Sequence, residues 1–313
     1  MGRPPYRADI AVSSVEGMTT AACEPAATSS VTHPGTAPDP RSVRARYDRP
    51  WLFFALATAI PWALWIPAAW ASHQGAEWMP IVSALGILGL VAPLGVVAGM
   101  TRHDPELRRD VVRRVFNFRE VKPIWWVAAI GTMPLAILVA TAISLLFGYS
   151  PEQFGWRGGA TFSAGLVSGW IVLVLAPIVE ELAWHSYGTD ALHTRFSVFT
   201  TSMVFIPIWA VWHLPLAFIS GSSQAQTAEQ GLLHSLNFPI SMIPFVLLMN
   251  WIYYRSGRNI TVTILFHLAA NLITQVLATH PDTEVMATGV LLVVTAVVVW
   301  RERALLFAPA MRF

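Results

Sequence analysis

Eight apolar stretches, each near the roughly 20 residues that a helix needs to cross the hydrocarbon core of a bilayer, leave this chain few folds to choose from. They run Trp51–Ala71, Met79–Met100, Trp125–Phe147, Phe162–Trp184, Val198–Ile219, Leu232–Tyr254, Ile260–Ala278 and Val285–Trp300. No water is available in the bilayer core, so every backbone N–H and C=O there must be satisfied internally, and a helix does this within one segment. The expected fold class is all-α, a polytopic membrane bundle of about eight transmembrane helices. Composition agrees, with 12% charged residues and a mean hydropathy of +0.53, against about 25% charged residues in soluble domains.

The basic residues give the orientation. Of the 20 Lys and Arg, 19 fall in loops on one side of such a bundle and 1 on the other. Basic residues collect on the cytoplasmic side, so both termini are expected there. Residues 1–49, rich in Ala, Ser, Thr, Pro and Arg, read as a disordered cytoplasmic tail. Residues 50–313 read as the membrane domain, with its polar motifs in a core of about 106–280. Cys23 is the only cysteine, which excludes an intramolecular disulfide and a cysteine-based metal site. Between the second and third stretches, Glu106–Arg119 mixes apolar residues with closely spaced arginines, as suits a helix lying in the headgroup plane. No Gly-rich phosphate loop or basic-aromatic nucleic-acid pattern is present, so the expected partners are the lipid bilayer and not nucleic acid.

Ionisable groups inside a span are costly and must face a cavity or a partner. Here they concentrate on three stretches: the fourth carries Glu180, Glu181 and His185; the fifth carries Trp209 and His213; the seventh carries His267 and Asn271. Adjacent residues on a helix point about 100° apart, so Glu180 and Glu181 are expected to have different jobs. The i, i+4 spacing sets Glu181 beside His185, Glu180 beside Trp184, Trp209 beside His213 and His267 beside Asn271. If the fourth helix continues past Trp184, acids, imidazoles and carboxamide reach one depth and can line one hydrated pocket. A carboxylate there can take a proton from water and return it to a leaving group. An imidazole can orient that water, and a His/Asn pair can donate to an oxyanion. Such a set describes amide hydrolysis without a side-chain nucleophile. Asp190 reads as a loop acid, and no role is assigned to the remaining histidines.

Three motifs resemble those of the CPBP intramembrane proteases, also called the CAAX protease and bacteriocin-processing family: EExxxR, then [FW]xxxH, then HxxxN or HxxxD. Here they read EELAWH from Glu180, WAVWH from Trp209 and HLAAN from His267, in the same order, and the resemblance covers roughly Glu106–Ile273. It implies a protease acting on a membrane protein or a lipid-anchored peptide. Glu180 would be the general base with Glu181 beside it, His213 would hold the water, and His267 and Asn271 would form the oxyanion site. Family members are described both as metalloproteases and as metal-independent enzymes. Glu180, His213 and His267 could equally supply three ligands to a zinc ion with one open position. The motif arginine is His185 here, and Ser186 stands where glycine usually follows. A titratable partner for Glu181 is expected to hold the fourth helix less firmly than arginine would. Two alternatives stay open, a catalytically inactive relative acting as an immunity or scaffold protein and an ion-coupled transporter. With 19 arginines and one lysine, the chain reads as bacterial and its place as the plasma membrane.

Overall fold

The computed structural model describes residues 43–159 and 162–310. Residues 1–42 of the expected tail, including Cys23, lie outside the described residues. Val43 and Tyr47 are buried in the core, so packing begins upstream of the first span.

The spans are α1 (Pro50–Ala71), α2 (Met79–Thr101), α4 (Pro123–Ser144), α5 (Gly169–Ala183), α7 (Val198–His213), α9 (Leu232–Arg255), α10 (Ile260–Val276) and α11 (Pro281–Arg301), with α3 (Pro105–Phe116) between α2 and α4. Short helices α6 (Thr189–His193), α8 (Ser223–Glu229) and α12 (Arg303–Leu306) complete the order. Among the described residues seven segments are long and apolar enough to cross a membrane, and α10, with 17 residues, is the short eighth. The chain is a multi-pass helical membrane protein. Proline opens α1, α3, α4 and α11, where its missing N–H costs no helical bond. Side chains cap others: Asn259 accepts from Val262 N at 3.0 Å to start α10, and Asp104 accepts from Leu107 N at 3.0 Å to start α3.

The fourth span differs from its sequence reading at both ends. The apolar run predicts helix over 162–168, but Ser163–Ala164 and Val167–Ser168 pair as a hairpin of two-residue strands whose turn holds Gly165 at φ +63°. The helix starts at Gly169 and passes through a π-helical turn, Trp184–Gly188, into α6. The span therefore ends at His193, and Glu180 lies in its interior. Asp190, read as a loop acid, is a buried helical residue.

Aromatic packing fixes this helix against α1 and α7. Trp184 stacks on Phe54 at 6.2 Å between ring centroids and meets Trp212 edge-on at 5.5 Å. Gly188 closes the π-turn beneath Phe53, where a Cβ would stand 2.5 Å from the ring. The amphipathic α3 exposes Val112, Phe116 and several arginines on one face and buries Leu107, Asp110 and Arg114 on the other.

Candidate active site

Glu180 and Glu181 part ways, as adjacent helical residues must. Glu180 Oε2 accepts a hydrogen bond from Trp209 Nε1 at 3.0 Å. Glu181 turns the other way, with Oε2 2.5 Å from His185 Nδ1 and Oε1 2.8 Å from His267 Nδ1. One acid thus joins α5 to α7 and the other joins it to α10.

Trp209 is the hub. Besides holding Glu180, its ring lies 5.7 Å from that of His213 and 5.6 Å from that of His267. His213 Nδ1 stands 2.7 Å from Trp209 O. A carbonyl can only accept, so Nδ1 carries the proton and Nε2 is left for another partner. Phe238 and Phe245 of α9 pack against the rings of His213 and His267 at 5.3 and 5.2 Å. Glu180, His213 and His267 keep 5%, 9% and 7% of their surface, whereas Glu181 and His185 keep none. The slightly open side shared by the first three is the crevice of the site, and the other two are sealed behind it.

Asn271 lies one turn beyond His267 on α10 and is half-buried. Its backbone carbonyl accepts from Thr274 Oγ1 at 3.1 Å, and its carboxamide bonds to none of the other site residues. Of the candidate zinc donors, Glu180 accepts from Trp209, and His213 and His267 are oriented through Nδ1 by a carbonyl and by Glu181. Among the described residues no three His, Cys, Asp or Glu side chains are grouped to hold a metal ion. Both rings keep Nε2 clear of these contacts, open to a water or a metal ion.

Behind the crevice lies a buried cluster that the sequence did not reveal. Arg114 Nη1 donates to the carbonyl of His185 at 2.6 Å, and Nη2 donates to that of Ser186 at 2.9 Å, so α3 grips the π-turn itself. Asp190 accepts from Arg114 at 2.9 Å, from Arg258 at 2.5 Å and from the Tyr253 hydroxyl at 2.9 Å. Arg258 takes φ +67° to reach it, unusual for a residue other than glycine. Asp110 completes the cluster, 2.8 Å from Arg114 Nε and 3.2 Å from Arg258 Nη2. Burial opposes the Asp110 charge, but Arg114 and Arg258 outweigh it and hold the carboxyl below the usual carboxylate range. The fourth helix is thus held by contacts additional to the Glu181–His185 pair. Two arginines from other elements hold it just beyond the histidine.

Residues 161–273 match the family model described as type II CAAX prenyl endopeptidase Rce1-like. That match contains every residue of the crevice. A relative, CAAX prenyl protease 2 of the archaeon Methanococcus maripaludis, is 31% identical over 260 residues, which cover 82% of this chain and 96% of that protein. Similarity over nearly the whole relative, with the crevice residues inside the matched region, shows that the chain belongs to the CAAX protease family of multi-pass membrane proteins.

Proposed function

We propose that the chain is an intramembrane endopeptidase in which Glu180 activates water. The observation that carries this reading is Trp209, which holds Glu180 by one hydrogen bond and packs against both imidazoles of the same crevice. A water on Glu180 gives up a proton to the carboxylate as its oxygen attacks the peptide carbonyl carbon. His213 Nε2, free because Nδ1 is bound to Trp209 O, accepts from the water's second hydrogen and aims its lone pair. Charge then develops on the former carbonyl oxygen. His267, backed at Nδ1 by Glu181, offers Nε2–H when protonated, and the Asn271 carboxamide is the second donor. As the tetrahedral intermediate collapses, the C–N bond breaks and Glu180 returns its proton to the leaving amine.

The substrate in this reading is a membrane-associated peptide, as the name of the archaeal relative suggests for that protein. A C-terminal segment anchored by a lipid can reach a crevice at membrane depth by lateral diffusion. The cellular setting proposed is the plasma membrane.

Proteomics of protein termini in membranes tests this reading, comparing a deletion strain with one carrying Glu180→Gln, each with and without chelator. The expected result is the same set of unprocessed termini in both strains and no effect of chelator on the wild type. Normal processing in the Glu180→Gln strain would contradict the base, and loss of wild-type processing with chelator would contradict the metal-free route.

A further inference from the structure

Asn250 sits within α9, has no exposed surface and takes no part in the crevice. Its carboxamide orientation follows from its neighbours. Ser202 Oγ donates its one hydrogen to Val198 O at 2.9 Å, so it can only accept from Asn250 Nδ2 at 2.8 Å. Asn250 Oδ1 is thereby turned towards His185 Nε2, 3.0 Å away. An amide oxygen only accepts, so Nε2 carries a proton.

The other ring nitrogen also faces an acceptor, Glu181 Oε2 at 2.5 Å. The opposite oxygen of Glu181 receives His267 Nδ1–H at 2.8 Å. An unbroken line of polar contacts therefore runs from the backbone of α7 through Ser202, Asn250, His185 and Glu181 to His267. Four spans supply its members, and Ser202, Asn250, His185 and Glu181 all have no exposed surface. Tyr253 closes the line from the side, its ring 4.6 Å from that of His185.

A buried polar chain of this kind specifies orientation, because rotating any member separates polar groups that have no water to turn to. We propose that Asn250 is a positioning residue: by accepting from His185 Nε2 it fixes that ring, which orients Glu181 and through it the His267 imidazole at the crevice. This rests on the reading of His267 as an oxyanion donor. It gives His185 a defined task, that of linking Asn250 to Glu181 from the position where the family motif has arginine.

The test uses the full chain in lipid nanodiscs, with Asn250→Leu to remove the acceptor and Asn250→Asp to keep one facing His185. Two readouts are taken. The first is cleavage of a lipid-anchored fluorogenic peptide. The second is the histidine side-chain nitrogen-15 spectrum, with His185 assigned from its loss in His185→Gln. In Asn250→Leu, kcat is expected to fall about tenfold or more with KM within about twofold, since a donor displaced by a fraction of an ångström spoils the transition state more than binding. The Nε2–H signal of His185 should change with it, and Asn250→Asp should recover part of kcat and the wild-type signal.

Wild-type kcat in Asn250→Leu, or an unchanged His185 signal, would overturn the proposal. So would equal losses in the Leu and Asp variants, which would mark Asn250 as a packing residue. Should Asn250→Leu fail to fold, Ser202→Ala, which frees the carboxamide to turn, carries the same expectations. Should Glu180→Gln cleave at the wild-type rate, the catalytic reading falls, and the His185 spectrum still decides the role of Asn250.

Discussion

Trp209 Nε1 donates to Glu180 Oε2 across 3.0 Å, and this one bond places the Glu180 carboxylate against the helix that carries His213. Trp209→Phe keeps the ring but deletes the donor. A buried hydrogen bond to a carboxylate is worth about 1.5–3 kcal/mol, so cleavage should slow by about one order of magnitude or more. Aromatic packing against Phe205, centroids 5.3 Å apart, should keep the fold. Steady-state kinetics beside a thermal unfolding scan will separate the two effects.

His185 has no exposed surface and is bounded by Glu181, Asn250 and the Tyr253 ring. His185→Arg restores the family motif residue but adds volume to a full site, where overpacking costs about 1–3 kcal/mol. The variant should therefore be less stable than the wild type. His185→Ala should be worse, at about 3–5 kcal/mol, because it deprives a buried carboxylate of a partner. Unfolding in detergent, followed by tryptophan fluorescence, measures both.

Asp190 neutralises two arginines of different elements, the buried Arg114 and the half-buried Arg258. Removing one member of a buried charge set typically costs about 3–5 kcal/mol. Asp190→Ala should thus lower the unfolding temperature more than any single crevice substitution. A double variant, Asp190→Ala with Arg258→Met, should recover part of the loss.

Asp110 gives this cluster a pH signature. Arg114 and Arg258 keep its folded-state carboxyl below the ordinary range. Its contribution to stability is therefore fully present above the unfolded value of about 3.9 and is lost as pH falls through the lower folded value. Asp110→Asn should reduce stability at neutral pH and flatten the acid-side decline below about pH 4. Unfolding midpoints measured from pH 7 down to pH 3 check the sign.

Much of this architecture is legible in residue order. Apolar run lengths give the spans, and the i, i+4 spacing pairs Glu181 with His185. A common depth for acids and imidazoles needs the fourth helix to pass Trp184, and it reaches His193. What stays hidden depends on the third dimension. A π-turn leaves no mark in hydropathy, and the hairpin at Ser163–Ser168 is apolar enough to read as helix. Asp190 looks like a loop acid because its partners, Arg114 and Arg258, are 76 and 68 residues away. Asn250 in its apolar surroundings reads as one packing residue among many until Ser202 and His185 are seen on either side.

The most direct measurement is cleavage of a lipid-anchored peptide by purified, reconstituted Glu180→Gln beside the wild type. Glutamine nearly preserves shape and can still accept from Trp209, but it cannot take a proton from water. The account predicts a loss of about 10²–10⁴ in kcat with an unchanged unfolding temperature. A folded Glu180→Gln protein that cleaves at the wild-type rate would contradict it.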